Sequence, residues 1–323
     1  MIKTRLTTRL KIDHPVISAP MAMAAGGALA GAVSRAGGLG LIGGGYGNAD
    51  WLESEFANAG NQVVGCGMIT WALAKKPELL DLILARNPKA VFLSFGDPAP
   101  FADQIRNAGA GLICQVQTLQ DAKHAIDLGA DIIVAQGAEA GGHGERRATM
   151  ALVPEVADYI ARAAPDVLLC AAGGIADGRG LAAALMLGAD GVLVGSKLWA
   201  SFEALVHPHM HAAALAATGD ETIRSRVMDE ARGLDWPVRY DCRVLRNEFT
   251  SRWHDDIDGL RANMDVEGPR WTQAWQAGNV AGSNTFVGES VGMIHRVAPA
   301  GEIVKAMVDD AANLLRTGVN RVG

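Results

Sequence analysis

The sequence predicts an α/β fold: a (β/α)₈ or TIM barrel that carries a smaller, mainly helical lobe near its C-terminus. Three observations support this fold, namely eight short apolar runs, helix-like segments between them and one internal repeat. The chain has 323 residues, of which 49% are hydrophobic and 20% are charged. A chain of this length and composition can bury the large core that a barrel requires.

Eight apolar runs between Pro15 and Ser196 are the predicted strands. They read PVISAP, GLGLIGG, VVGCGM, AVFLSF, GLICQV, DIIVAQ, VLLCAA and GVLVGS, and each ends near a glycine, a proline or a polar residue. Because the runs are apolar without alternation, both faces of each strand should be buried, as in a parallel sheet that helices cover.

The segments between the runs carry apolar residues at helical spacing. GALAGAVSRAG and TLQDAKHAIDLG are examples, and both end in glycine, which commonly terminates a helix. LGADIIVAQG, residues 128–137, recurs as LGADGVLVGS, residues 187–196, so a helix end, a turn and a strand are repeated. Such units are joined by right-handed parallel crossovers. A doubly wound open sheet is the alternative, but the first strand–helix turn reads APMAMAAGG and lacks the G-x-G-x-x-G motif.

The chain changes in character after Ser196, and three parts are predicted. Residues 1–204 should form the barrel, residues 205–290 a lobe that caps it, and residues 291–323 a C-terminal helix that packs back on the barrel. The stretch HPHMHAAALAATGDETIRSRVMDEARG is helix-like, and the residues after it carry tryptophans, charges and scattered glycines. PAGEIVKAMVDDAANLLRTG is amphipathic, which predicts the last helix.

Charge and N-terminal composition exclude several classes of protein. The net charge of −6, with mixed signs, offers no basic surface to nucleic acid. MIKTRLTTRLKIDHP has no apolar core of a signal peptide, so a cytoplasmic protein is expected. The apolar stretch from Pro15 to Val33 is rich in glycine and alanine and is interrupted by Pro20, so no membrane span is expected.

The sequence also predicts no metal site. Within HPHMH, His207, His209 and His211 would not all share one face of a helix, so this cluster should instead begin a cap helix. The four cysteines lack paired metal-type spacing, and most lie in apolar runs, which predicts buried, reduced thiols: Cys66, Cys114, Cys170 and Cys242.

The functional residues of such a barrel lie at the C-terminal ends of its strands, which predicts one shared site. The candidates close the runs or follow them: Pro20, Met21, Gly67, Gln115, Gln136, Gly173, Gly174, Gly195 and Ser196. The last four follow the seventh and eighth strands, where glycines expose backbone N–H groups to a phosphate. The alternative is that these glycines only make tight turns between strand and helix.

The stretch AGGHGERR, residues 140–147, sets His143 among three glycines beyond the sixth strand. Gly141, Gly142 and Gly144 carry no side chains, so they would leave room for a flat ligand and bring the imidazole over it. We therefore predict His143 as the catalytic group. A surface histidine, or one that only makes a structural hydrogen bond, is the alternative.

Four ordered stretches resemble the nitronate monooxygenase family, formerly called 2-nitropropane dioxygenases. They are HPVISAPM, AGGLGLIGGG, QGAEAGGHG and GGIADGRGLAAALMLGADGVLVGS, and the later GESVGMIHRVAPAGEIV is also similar to the family. The resemblance implies a TIM barrel that binds FMN non-covalently, with the phosphate at the ends of the seventh and eighth strands.

The resemblance also assigns contacts to single residues. It implies Met21 and Ala22 on the flavin through backbone groups, Gln115 and Gln136 at its polar edge, Gly141 against its ring, and Gly173, Gly174, Gly195 and Ser196 on its phosphate. Pro20, Gly67 and Gly142 complete the predicted cofactor site, and His143 is the histidine of the family's AGGH motif.

The implied reaction converts an alkyl nitronate and O₂ into a carbonyl compound and nitrite. The sequence leaves open whether the chain is a monomer or a homodimer. Two roles stay open for His143: a base that removes the α-proton of a neutral nitroalkane, or a protonated hydrogen-bonding partner of the nitronate. Many relatives carry lysine at the position of Gln115 and asparagine near Gly67, so a positive charge near the flavin is missing here. Arg146 and Arg147 are candidates to replace that charge, and a solvated charged turn is the alternative.

Two other functions fit the same motifs. One is an NAD(P)H-dependent quinone or enoyl-thioester reductase on the same flavin barrel. The other is a flavin-free isomerase or lyase that uses the glycines to bind a phosphorylated metabolite.

Overall fold

The computed structural model describes residues 2–318, and its strands confirm all eight predicted runs. The strands are β1 Val16–Ser18, β2 Leu41–Gly45, β3 Gly65–Ile69, β4 Ala90–Ser94, β5 Gly111–Val116, β6 Ile132–Gln136, β7 Gly142–Gly144, β8 Leu168–Ala172, β9 Gly191–Val194, β10 Thr222–Ser225 and β11 Asp241–Leu245. Eight of them form one parallel sheet in the order β1-β9-β8-β6-β5-β4-β3-β2. A parallel bridge from Ile17 to Leu39, just ahead of β2, brings the two edges together, so the sheet is a TIM barrel.

Helices connect the strands and build the cap lobe. They are α1 Arg5–Leu10, α2 Gly27–Arg35, α3 Ala49–Asn58, α4 Thr70–Leu73, α5 Leu79–Ala85, α6 Ala99–Asn107, α7 Leu119–Asp127, α8 Thr149–Ala163, α9 Gly178–Met186, α10 Ser196–Trp199, α11 Pro208–Ala216, α12 Val227–Ala231, α13 Glu248–Trp253, α14 Ile257–Ala262, α15 Met264–Gln276 and α16 Ala300–Thr317, with 3₁₀ helices at Gly219–Glu221 and Glu289–Met293. The predicted segments after the first and fifth strands are α2 and α7.

The barrel is held by two apolar layers, which explains why its strands have no polar face. One layer fills the barrel interior with residues such as Ile17, Phe92 and Val134, and Leu6 and Leu10 of α1 close its N-terminal end. The other layer lies between the strands and the surrounding helices. Burial on both sides produces the continuous apolar runs seen in the sequence.

The repeated LGAD sequence lies at the N-terminal end of the barrel. The carboxylates of Asp131 and Asp190 each accept a hydrogen bond from a backbone N–H of the neighbouring strand, at 2.9 and 3.0 Å. Each also pairs with an arginine of α1, Asp131 with Arg9 at 2.6 Å and Asp190 with Arg5 at 2.8 Å. The two aspartates of the repeat therefore bind α1 to the N-terminal end of the barrel.

The cap lobe contains a small sheet as well as helices. Strands β10, β11 and β7 pair antiparallel in the order β10-β11-β7, and β7 comes from the barrel connection that carries His143. The predicted loop around His143 is therefore a short strand, paired opposite Cys242 of β11. The stretch predicted as helix-like also contains Thr222–Ser225, a strand, because its β-branched residues Thr222 and Ile223 pair with β11.

The last helix, α16, packs against α9 and α2 of the barrel wall. Residues 319–323 of the predicted C-terminal part lie outside the described residues, and the three part boundaries stay a prediction. None of the helices within residues 2–318 combines the length and apolarity needed to cross a membrane. All four cysteines are free and buried, as predicted. The cytoplasmic location and the monomeric or homodimeric state stay predictions.

Candidate active site

A cavity of about 680 Å³ opens at the C-terminal end of the barrel, between the strand ends and the cap lobe. All but one of the predicted site residues line it: Pro20, Met21, Ala22, Gln115, Gln136, Gly141, Gly142, His143, Gly173, Gly174, Gly195 and Ser196. Gly67 is the exception, because the described cavity wall does not include it. A Cβ atom on Gly67 would lie 2.4 Å from the Cβ of Pro20, so this glycine lets Pro20 pack on β3.

Three glycines and a serine at the ends of β8 and β9 form what we call the glycine cradle: Gly173, Gly174, Gly195 and Ser196. The N–H groups of its glycines donate no hydrogen bond to another described protein group. Gly173 and Gly174 have φ of 102° and 73°, which side chains other than glycine rarely adopt. Ser196 Oγ accepts a hydrogen bond from Gly288 N–H at 2.8 Å and keeps its own hydrogen to donate. These unpaired donors fit a phosphate.

The glycines around His143 serve different purposes. A Cβ atom on Gly141 would lie 2.5 Å from the backbone of Val287 and Gly288. The missing side chain of Gly141 therefore makes room for this backbone and not for a ligand. A Cβ atom on Gly142 would meet nothing within 4 Å, which agrees with the predicted space for a flat ligand. A Cβ atom on Gly144 would approach neighbouring side chains at 3.0 Å. Only Gly142 therefore leaves open space.

The two predicted glutamines differ in what their amides contact. Gln136 Nε2 donates to the carbonyl oxygen of His143 at 3.2 Å, and its Oε1 accepts from Gln117 Nε2 at 2.8 Å. Gln136 thus holds β7 in place, and no pattern in the sequence had pointed to Gln117. The amide of Gln115 makes no hydrogen bond within residues 2–318 and lines the cavity, where it can contact a ligand.

The His143 imidazole is fixed by two residues of the cap lobe. Its Nε2 lies 2.9 Å from Asp229 Oδ2, and the two side chains are 9% and 2% exposed. The indole ring of Trp236 stacks on the imidazole with 3.4 Å between centroids and 7° between planes. Arg239 holds this cap segment over the barrel by pairing with Asp121 of α7 at 2.6 Å and Glu145 beyond β7 at 2.5 Å.

This environment favours the neutral form of the His143 imidazole. Burial lowers the pKa of His143 from its ordinary value, and the hydrogen bond with Asp229 opposes that change. The positive charges of Arg232 and Arg224 lower the pKa of His143 further. A neutral imidazole that donates Nε2–H to a carboxylate keeps a lone pair on Nδ1, which has no hydrogen-bond partner in the described part of the chain.

An aromatic wall covers the cavity on the His143 side. Tyr46, Phe95 and Trp236 line the cavity, and their rings contact one another and Trp71 at 5.2 to 6.2 Å between centroids. The Tyr46 hydroxyl accepts from Trp236 Nε1 at 3.2 Å and from Arg232 at 3.3 Å. Burial raises the pKa of Tyr46 to about 12, so it stays protonated. The wall excludes water from one side of the imidazole.

The positive charge at the cavity comes from the cap lobe and not from the predicted loop. Arg146 is exposed and Arg147 pairs with Glu155 at 2.5 Å, and neither belongs to the cavity wall of the described chain. Arg232 lines the cavity, lies over the Tyr46 ring at 5.0 Å and forms no ion pair with a described carboxylate. It follows α12, a part of the sequence that carried no motif.

The histidine cluster begins a cap helix, as predicted. His207 is the N-cap of α11 and accepts a hydrogen bond from the backbone N–H of His209 at 3.2 Å. His211 Nε2 contacts the carbonyl oxygen of Trp199 at 3.0 Å. Within residues 2–318, no three histidine, cysteine or acidic side chains are grouped so that they could hold a metal ion.

Comparisons with known proteins agree with this fold and identify the family. A model of the nitronate monooxygenase family matches residues 3–65 and 68–310. A nitronate monooxygenase of Neurospora crassa is 31% identical, with 93% of this chain and 90% of that protein covered. FabK from Thermotoga maritima has a TM-score of 0.87 and 27% identity, with 100% of both chains covered. Nitroalkane oxidase of Streptomyces ansochromogenes has a TM-score of 0.78 and 25% identity, with 97% of this chain and 99% of that chain covered. This chain is therefore a flavin-dependent oxidoreductase that belongs to the nitronate monooxygenase family.

Proposed function

We propose that this enzyme oxidises alkyl nitronates with O₂ to carbonyl compounds and nitrite, and that its flavin is FMN. The observation that carries the proposal is a buried imidazole, His143, held by Asp229 at the wall of a cavity that also contains the glycine cradle. A proton acceptor and a phosphate site are thereby open to the same space, as a flavin enzyme that acts on carbon acids requires.

The cavity fits FMN in size and in donors. Its volume of about 680 Å³ lies within the range of pockets that enclose small molecules. The glycine cradle would bind the phosphate, and the unpaired Gln115 amide would contact the polar edge of the ring. Once bound, the flavin supplies the electron acceptor for the nitronate. With glutamine at position 115 in place of a lysine, Arg232 is the one lysine or arginine of the cavity wall among the described residues.

The role of His143 as a base is favoured over its role as a protonated partner. Burial lowers the pKa of His143, so the imidazole is free to accept a proton at neutral pH. A neutral nitroalkane would lose its α-proton to His143, and Arg232 would attract the resulting anionic nitronate. Trp236 and Tyr46 keep water from the imidazole during this step.

Anaerobic mixing of the purified holoenzyme with three donors tests this function. A nitronate and a nitroalkane should each bleach the flavin absorbance, and aerobic turnover should release nitrite. Rapid bleaching by NADH without bleaching by either nitro compound would overturn the proposal and favour the NAD(P)H-dependent reductase. Mass spectrometry of the flavin released by heat tests the cofactor, because FAD in place of FMN would contradict the proposal that the flavin is FMN.

A further inference from the structure

Asp229 is a buried carboxylate whose contacts are unusually few. It lies in α12, its side chain is 2% exposed, and Oδ2 meets His143 Nε2 at 2.9 Å. Its other oxygen, Oδ1, is buried and has no hydrogen-bond partner in residues 2–318. A carboxylate taken out of water is costly unless it is paired and hydrogen-bonded. His143 therefore provides the single side-chain partner of Asp229 among the described residues.

The partner of Asp229 is neutral at rest but would be positive after it accepts a proton. In the resting state one hydrogen bond joins the Asp229 carboxylate to the neutral His143 ring. When the imidazole takes up a proton, the same contact becomes an ion pair between two buried side chains, where opposite charges attract strongly. The carboxylate is therefore placed to stabilise a charge that exists only during turnover.

We propose that Asp229 is a positioning residue that holds the proton of neutral His143 on Nε2, so that Nδ1 is the atom that removes the α-proton of the substrate. This inference rests on the proposed function. In the step, the Cα–H bond of the nitroalkane breaks, its electron pair stays with the nitro compound as the nitronate, and the proton binds Nδ1. The imidazolium then donates to Asp229 from Nε2 and returns the Nδ1 proton to solvent. The ring orientation is also fixed by the Trp236 stack.

Two substrates separate this role from a purely structural one. A nitroalkane needs the proton transfer, whereas a nitronate prepared in base before mixing has already lost that proton. In Asp229→Asn, nitroalkane turnover should fall by about a hundredfold or more, the usual scale for acid–base groups. Nitronate turnover should fall by less than about threefold, because the flavin and the cavity are unchanged. An equal loss on both substrates, or no loss on either, would overturn the proposal.

Glu267→Gln is the matched control. Glu267 is also a buried carboxylate of the cap lobe, but its partners are Arg270 at 3.0 Å and Arg252 at 3.6 Å, away from the cavity. This variant should leave the ratio of nitroalkane to nitronate turnover unchanged. A control that alters the ratio as Asp229→Asn does would show that a loosened cap lobe causes the effect.

The pH dependence of nitroalkane turnover also distinguishes the proposed role from a purely structural one, because a structural role would not shift it. Nitroalkane turnover needs neutral His143, so it is present above the pKa of His143 and lost as the pH falls through it. Asp229 raises that pKa, so Asp229→Asn should move the acidic limb to lower pH. The other charged or titratable groups near the imidazole are Arg224 and Arg232, the Tyr46 hydroxyl and the Cys242 thiol, and burial raises the pKa of both Tyr46 and Cys242. If the acidic limb of the Asp229→Asn profile stays at the same pH as in the wild type, the proposal is contradicted.

Nitrogen-15 NMR of the histidine rings tests the tautomer without any turnover. The chain has 8 histidines, and His143→Gln identifies the signal of His143. The wild-type holoenzyme at neutral pH should carry the ring proton on Nε2, and a proton on Nδ1 would overturn the proposal even if Asp229→Asn does not fold. If neither nitro compound reacts and NADH bleaches the flavin, the proposed function fails and the proton-transfer role fails with it, while the NMR result still decides the tautomer.

Discussion

Several polar groups at the two ends of the barrel differ in whether other protein groups pair with them. At the N-terminal end, Asp131 and Asp190 each accept a backbone hydrogen bond and pair with an arginine of α1. At the C-terminal end, the glycine cradle keeps unpaired N–H groups and the carboxylate of Asp229 keeps an unpaired oxygen among the described residues. Proteins satisfy most buried polar groups internally, so the unsatisfied end is where a ligand or a reacting proton completes the structure. Stability and chemistry are thus separated along the barrel axis.

His143→Ala should produce the largest loss at the C-terminal end. Removing the imidazole takes away the proton acceptor, so nitroalkane turnover should fall by about a hundredfold or more. Flavin content should stay unchanged, because the glycine cradle is untouched. Steady-state nitrite release and flavin absorbance of the purified variant measure the two quantities. Unchanged turnover would remove His143 from the site.

Gly174→Leu should weaken flavin retention by about tenfold or more. A Cβ atom at this position would lie 3.4 Å from the Cβ of Glu139 at the cavity wall, and the φ of 73° would strain any residue but glycine, so the backbone of the cradle should shift. The matched control is Gly109→Leu at the other end of the barrel, where φ is 78° and a Cβ atom would meet nothing within 4 Å. Equilibrium dialysis against FMN measures the affinity. Equal retention in the two variants would contradict a phosphate site at Gly174.

Arg232→Gln should raise KM for the nitronate by about tenfold, which corresponds to about 1.4 kcal/mol. The lost guanidinium is the positive charge of the cavity wall, whereas kcat should change little. Arg146→Gln is the control, since Arg146 is exposed and lies outside the cavity wall. If KM for the nitronate is the same in both variants, Arg232 does not bind the anion.

Asp190→Asn should have the smallest effect on catalysis and a clear effect on stability. It weakens the pair with Arg5 and the backbone hydrogen bond at the N-terminal end, which should cost about 1–3 kcal/mol of the free energy of unfolding. Thermal unfolding should show a Tm lower by a few degrees, with kcat and KM unchanged. Asp103→Asn, at a carboxylate that is 91% exposed, is the control and should not change Tm. A changed kcat in Asp190→Asn would show that the two ends are coupled.

The barrel strands were predictable because each is buried on both faces, so a local apolar run carries the information. The glycine cradle was predictable for a related reason, since the end of a strand in this fold fixes the end of the barrel at which a residue lies. The strands of the cap sheet were missed, because β7 is three residues long and forms only by pairing with β11. No local pattern distinguishes such a strand from a loop.

The sequence by itself determined the barrel, the end of the barrel at which the candidate functional residues gather, and His143 as the candidate catalytic group. Only the tertiary structure decided how that base is held, because Asp229 lies 86 residues away along the chain and Trp236 lies still further. The tertiary structure also showed that the positive charge at the cavity wall belongs to Arg232 and not to Arg146 or Arg147. The physical reason is that burial and hydrogen bonding, which set the state of an ionisable group, depend on the neighbours that folding supplies.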